Sequence, residues 1–416
     1  MPDLLLKNRP IVAAAVLMPM LALIPACGTS PSGTAGSTGA ASAEGSGDDG
    51  CITDFDESKD YFPDKVEFED ATNISVEYKK SYKVVTVTQP SPGAAPESYV
   101  FVQCGAPEPS LEGELAKATK VSVPVKKVAA GSTTQVPAYE LLDRMGVLVA
   151  VSSAEKLAEG PAKDAVDSGQ IQSIKNANGE VNVEKLASLA PDVYVTSGTA
   201  SAENAKIAEL KIPVIADAEW LEKTALGRAE WTKFKAILLN REKQANEVYG
   251  KIKADYQSVA TKAQGVTERP TVLLGAMSKG TWYASAADSY LANEIKDAGG
   301  EYVLKDVAGV GTKPLDLEVV LAKGAKAQYW IGATHSERWE SLAEPIKDDP
   351  RLGKLTPVQN GDVWTFSKKL TPGGGNDYWQ SGVVRPDLVL ADLVAILHPE
   401  LMPNHEFTYY EQVPKG

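Results

Sequence analysis

Between residues 225 and 262 the chain has no strong helix breaker, and Trp231, Phe234, Leu238, Ala245, Val248, Ile252 and Val259 recur at spacings near three, four and seven. That period predicts a single amphipathic helix. At 1.5 Å per residue it would reach on the order of 50 Å, longer than one sheet layer requires. A helix of that length constrains the fold more than any other segment: the chain on either side must form two bodies joined by a spine.

Both flanks repeat one grammar. Before the helix, apolar runs at 127–130, 147–151, 192–196 and 213–215 read as strands, with helical patterns beginning at Tyr139 and spanning 183–189. After it, 271–275 reads as a strand, 289–298 as a helix and 329–332 as a later strand. Repeated strand-loop-helix units imply largely parallel sheets covered on both faces. An internal echo supports two similar bodies, since Val183-Glu184-Lys185-Leu186 leads to Val193-Tyr194-Val195-Thr196 much as Leu317-Glu318-Val319-Val320 leads to Gln328-Tyr329-Trp330-Ile331.

The N-terminal third differs. Runs at 74–78, 83–88 and 98–102 have strand period and β-branched content, and Pro90, Pro92 and Gly93 between the last two predict a hairpin whose second strand leads into Cys104. Residues 28–50 are mostly Gly, Ser, Ala and Thr, a composition that reads as a flexible tether. Ahead of it, Lys7 and Arg9 precede an apolar run from Ile11 to Ala26, too short to span a bilayer comfortably and typical of a secretory signal. Leu23-Ile24-Pro25-Ala26-Cys27 resembles a bacterial lipobox, which makes Cys27 the expected lipidated N-terminus, although Pro25 departs from the usual residue. With Cys27 modified, Cys51 and Cys104 remain as an even pair in an oxidising compartment. A bridge between them would close a loop of about 54 residues and stabilise the fold by roughly 4 kcal/mol on the chain-entropy model; the alternative is two buried thiols.

The fold class is therefore α/β: two Rossmann-like lobes bridged by one long helix and preceded by a small β-rich extension. The expected boundaries are a signal peptide at 1–26, a tether at 27–50, the extension at 51–120, a first lobe at 121–218, the backbone helix at 219–266, a second lobe at 267–398 and a tail at 399–416. The 416 residues carry a formal charge of −13 and are 43% apolar, enough for a sizeable core. Neutralising phosphates needs a basic surface that no segment supplies, so nucleic acid is excluded as a partner.

Particular phrases point further. Glu222-Lys223-Thr224-Ala225-Leu226-Gly227-Arg228-Ala229-Glu230-Trp231 at the start of the helix, Leu186-Ala187-Ser188-Leu189-Ala190-Pro191-Asp192-Val193-Tyr194-Val195, Asp297-Ala298-Gly299-Gly300 and Gln359-Asn360-Gly361-Asp362-Val363-Trp364 together resemble substrate-binding proteins for iron siderophores and cobalamin. The likeness covers roughly residues 121 to 398. It implies a ligand cleft between the lobes with limited hinge motion, an ABC permease and its ATPase as partners, and lipid anchoring on the periplasmic or cell-surface side of a membrane. It also implies docking of the permease on one surface glutamate per lobe, which falls on Glu184 and Glu318. A monomer is expected, with a metal chelate as cargo and no resident cofactor.

Ligands of open α/β sheets bind where loops leave the carboxyl ends of strands. In the first lobe those loops offer Thr133, Ser197 and Trp220; Ser and Thr after a strand are also ordinary helix caps. In the second, adjacent Trp282 and Tyr283 would form a flat apolar wall, and the stretch after Gly373-Gly374-Gly375 brings Tyr378 and Trp379 to the cleft rim. Ferric siderophores are commonly anionic, and Arg donates several planar hydrogen bonds to clustered oxygens. Arg228, Arg338, Arg385 and Lys368 are the charged candidates.

Four rival readings compete. A bare zinc or manganese receptor needs several His and carboxylate ligands, whereas His335, His398 and His405 are the only histidines. Haem or cobalamin stays open, because His335 or Tyr283 alone could fill an axial position. An enzyme is not expected, since no Gly-x-Ser-x-Gly elbow or His-Glu-x-x-His occurs. A lipid-anchored scaffold or adhesion module is the alternative of another class.

Overall fold

The first strands of the chain join an antiparallel meander to one parallel neighbour. β1 (Ile74–Tyr78), β2 (Tyr82–Val87) and β3 (Glu97–Gln103) pair antiparallel in register, and β4 (Thr119–Val123) lies parallel to β3. The structure is a computed structural model that describes residues 50–176, 178–198, 202–334 and 337–416; Cys27 and His335 lie outside the described residues. The β2–β3 hairpin forms where the Pro-rich turn predicts it. Cys51 and Cys104 are bridged across a sequence separation of 53 residues, and the Ile52 amide donates to the Cys104 carbonyl at 2.8 Å.

This sheet does not stand apart from the first lobe. Tyr99 and Phe101 of β3 share one apolar cluster with Val128, Trp231 and Phe234, and burying a side chain such as Phe101 contributes on the order of 1.5–3 kcal/mol. Two buried carboxylates hold the strap that leads into β1. Glu230 accepts from the amides of Glu69, Asp70 and Ala71, and Glu222 from those of Thr72 and Asn73 and from the Trp231 indole. Lys83 of β2, fully buried, pairs with Glu242 at 2.5 Å and also donates to the Ile237 carbonyl and the Asn240 side chain. Burial pulls its ammonium down to about 8, with Glu242 opposing the fall. Such a pair persists because its ammonium has three acceptors and its carboxylate also accepts from the Tyr78 hydroxyl.

The first lobe contains β5 (Val128–Ala130), α1 (Val136–Leu141), β6 (Leu148–Val151), α2 (Pro161–Asp167), β7 (Gln172–Ser173), α3 (Val183–Leu189), β8 (Val193–Thr196), α4 (Ala202–Glu209) and β9 (Val214–Ala216). Its sheet is parallel throughout, in the order β7-β6-β5-β8-β9. All three residues of β5 are buried, as a central strand covered on both faces requires.

The spine departs from the expected single helix. It is divided into α5 (Ala225–Glu230), α6 (Thr232–Leu239) and α7 (Glu242–Gln264). Asn240, at φ 52°, adopts the left-handed conformation that ends α6, a role Asn tolerates better than most residues. Here the Lys83 ammonium enters from β2. The remaining 23-residue helix spans about 35 Å, presents Tyr249, Ile252, Tyr256, Ala260 and Ala263 to the interior, and packs along a helix of the second lobe.

That lobe comprises β10 (Thr271–Leu274), β11 (Ala276–Ser278), β12 (Thr281–Ser285), α8 (Tyr290–Asp297), β13 (Glu301–Tyr302), β14 (Thr312–Leu315), α9 (Leu317–Gly324), β15 (Tyr329–Ile331), α10 (Ala343–Asp348), α11 (Thr356–Asn360), β16 (Val363–Thr365), α12 (Ser381–Val384), α13 (Pro386–Leu397) and β17 (Glu411–Gln412). Its main sheet runs β13-β10-β15-β16-β17, parallel except for β17, beside a small antiparallel sheet β11-β12-β14. The C-terminal segment is thus part of the lobe. Buried Asp392 of α13 fixes it by accepting from the amides of Thr408, Tyr409 and Tyr410.

Candidate ligand cleft

The loops at the carboxyl ends of the first lobe's strands are small and polar. Ser132 caps the turn after β5 by accepting from the Thr134 amide, and Thr133 follows it, half-buried. Exposed Ser197 follows β8, and its carbonyl accepts from the Trp220 indole at 3.0 Å, so these two candidates meet. Beyond β9, Glu219 binds Arg228 at 2.6 Å. Arg228 lies on α5, buried, with its guanidinium 4.0 Å from the ring centre of Tyr290 on α8. Burial opposes its charge, and Glu219 together with Tyr290 and Tyr378 more than offsets that opposition. Arg228 is therefore a tie between the lobes. Behind it sits Glu294, only 3% exposed, whose carboxyl burial pushes up to about 8, against the pull of Arg228.

In the second lobe the strand period separates the two expected wall residues. Trp282 points inward, fully buried, donates to the Leu274 carbonyl and packs on Trp330 at 5.3 Å. Tyr283 points out and is 40% exposed. Tyr283 and Trp379 join Tyr290, Phe366 and Tyr410 around a cavity of about 60 Å³ whose polar groups include the hydroxyls of Ser285, Ser289 and Thr312. Tyr378 stacks on Phe366 at 4.3 Å, one layer deeper. A second recess of about 530 Å³ shares Tyr283 and is lined also by Met277, Lys279, Thr334, Glu337, Trp339, Asp348 and Asp349.

The remaining charged candidates have partners within the lobe. Arg338 pairs with Glu411 at 2.9 Å and donates to the Lys368 carbonyl; the Lys368 ammonium donates to the Phe407 carbonyl. Arg385 is held by both oxygens of Asp387, beside a groove formed with Leu141, Ile252 and Asp255. Of the histidines, His405 bonds Asp392 at 2.7 Å and His398 is buried near the Gly299 carbonyl. Among the described residues no group of three or more His, Cys, Asp or Glu side chains could hold a metal ion.

Across the cleft the lobes touch directly. A Cβ placed on Gly373 would lie 1.8 Å from the Glu155 carbonyl oxygen, and one on Gly375 1.8 Å from that of Lys156. The Ala158 amide donates to the Gln380 side chain at 3.0 Å, and Ala138 of α1 packs with Val383 and Val384 of α12. Sequence reasoning missed Tyr290, Tyr410 and Glu294. Tyr290 follows the capping residue Ser289 and was hidden by that role, and Tyr410 lies in the segment expected to be a tail.

The two matching surface glutamates occupy equivalent places. Glu184 and Glu318 are each the second residue of a helix, α3 after the cap Asn182 and α9 after the cap Asp316, and both are exposed. Glu318 pairs with Arg351 at 3.0 Å.

Comparisons with known proteins agree with this architecture. The family model described as "Periplasmic binding protein" matches residues 128–370. An uncharacterized lipoprotein of Methanocaldococcus jannaschii is 28% identical over 301 residues, covering 70% of this chain and 69% of the relative. The fold is shared with a possible iron-binding, periplasmic solute-binding protein of Staphylococcus epidermidis, 20% identical over 66% of this chain and 98% of that one, with a TM-score of 0.51. It is shared also with a periplasmic heme binding protein of Pseudomonas aeruginosa, 16% identical over 70% and 100% of the two chains, with a TM-score of 0.54. No helix among the described residues is long and apolar enough to cross a membrane. The chain belongs to the periplasmic binding protein family, the extracytoplasmic solute-binding components of ABC transporters.

Proposed function

We propose that the protein captures a metal chelate, a ferric siderophore foremost, between its lobes and delivers it to the permease while anchored by lipid at Cys27. The observation that carries this reading is the pair of recesses sharing Tyr283 at the carboxyl ends of the second lobe's strands. A volume of about 530 Å³ suits a compact chelate, and aromatic walls suit its apolar flank. The iron is cargo, in keeping with the family. Haem or cobalamin is the second reading, favoured by the same aromatic wall and by the exposed phenol of Tyr283 as an axial ligand.

Thermal unfolding of the full chain against ferric hydroxamates, ferric catecholates, ferric citrate, haem, cobalamin and divalent metals tests it. One ferric chelate should raise Tm saturably, by the equivalent of about 2.7 kcal/mol at a hundred times its Kd, and Trp379→Ala should reduce the shift. A shift with haem or cobalamin alone would replace the ligand and keep the receptor. No shift across the panel from a folded protein would remove the metal-chelate reading and favour a scaffold.

A further inference from the structure

Neither recess of the second lobe is suited to an anion. The inner one is walled by aromatic rings, its side-chain polar groups are hydroxyls and the Trp379 indole, and no charged side chain among the described residues lines it. The outer one sets Lys279 against Glu337, Asp348 and Asp349. Asp349 pairs with Arg351 at 2.7 Å, which leaves, among the described residues, one ammonium facing two exposed carboxylates.

The four cations singled out in the sequence as candidates for an anionic ligand are already engaged. Arg228 is held by Glu219, Arg338 by Glu411 and Arg385 by Asp387, and Lys368 donates to a backbone carbonyl. Drawing the buried Arg228 away would strand Glu219 without its counter-charge, which is costly. Aromatic faces, in contrast, accept uncharged apolar surface with no such penalty.

We infer that this lobe selects an uncharged metal chelate and discriminates against anionic ones. The inference rests on the chelate-binding reading above and narrows it. Three hydroxamates, each a monoanion, cancel the charge of Fe(III); three catecholates, each a dianion, leave a threefold negative complex. The chelate would occupy the outer recess, with one apolar substituent reaching past Tyr283 into the inner one.

Calorimetric titration of the full chain with two hexadentate complexes, an uncharged ferric trihydroxamate and a threefold-negative ferric triscatecholate, tests this at low and high salt. The uncharged complex should bind at least about tenfold tighter, with its affinity changing less than about twofold with salt. Glu337→Gln combined with Asp348→Asn, both at exposed positions, should strengthen triscatecholate binding several-fold while leaving the trihydroxamate within about twofold. Equal or tighter binding of the triscatecholate by the unmodified protein would overturn the inference and leave the chelate-binding reading intact. Failure of both complexes to bind would overturn that reading, and the inference with it.

Discussion

Glu294 is a carboxyl placed where a carboxylate is expensive. It is surrounded by Arg228 of α5, Tyr256 of α7, Tyr290 of its own helix, and Tyr378 and Tyr410. Burial raises its pKa to about 8, with Arg228 opposing the rise. The folded chain therefore keeps this proton between the ordinary carboxyl range and pH 8, where the unfolded chain has released it. By linkage its contribution favours folding at low pH and is lost as pH climbs through that window. Glu294→Gln should flatten this part of the stability curve and exceed the parent at pH 8.5 by on the order of 1–3 kcal/mol, read by denaturant unfolding across pH. Parallel curves for the two proteins would show that Glu294 does not hold a proton. At this scale the sequence was only partly legible. The alternation of β12 separates Trp282 from Tyr283 by local geometry alone, but whether an arginine is free depends on its partner. Arg338 meets Glu411 across 73 residues, a pairing no local pattern encodes.

Among the elements, the loop between β16 and α12 has the sharpest requirement. Gly373 and Gly375 let its backbone lie against carbonyls of the first lobe, with no room for a methyl group. Gly373→Ala with Gly375→Ala should wedge the lobes apart, enlarge the radius of gyration seen by small-angle scattering and weaken ligand binding about tenfold, since closure contributes less to the bound state. An unchanged radius and affinity would mean the loop yields without cost. The glycine run itself was plain in the sequence; its backbone partner was not. The spine shows the opposite case. Its apolar period was plain from 225 onward, but at the break Asn240 accepts from Lys83, 157 residues earlier in the chain. A left-handed Asn is a permitted turn rather than a compulsory one, so sequence pattern could not locate it. The β-rich extension was legible as strands, whereas its shared core with the first lobe arises only from tertiary packing.

For the whole molecule, the two-lobed plan was the most legible property, because repeated strand-loop-helix units leave few alternatives. The same near-symmetry places Glu184 and Glu318 at matching helix starts, and on the proposed reading these dock the permease. Exchanging both for Lys should abolish stimulation of the transporter's ATPase while ligand affinity stays within about twofold, because both side chains are exposed and lie outside the two recesses. Undiminished stimulation would assign docking elsewhere, and the bond of Glu318 to Arg351 makes the first lobe's site the freer of the two. On the proposed lipid anchoring at Cys27, the Cys51–Cys104 bridge has one more consequence. Tension arriving at Cys51 crosses directly to the end of β3, an inner strand flanked by β2 and β4. The residues between the two cysteines are bypassed, and a tug that would otherwise unzip the sheet from its free end must instead shear its middle.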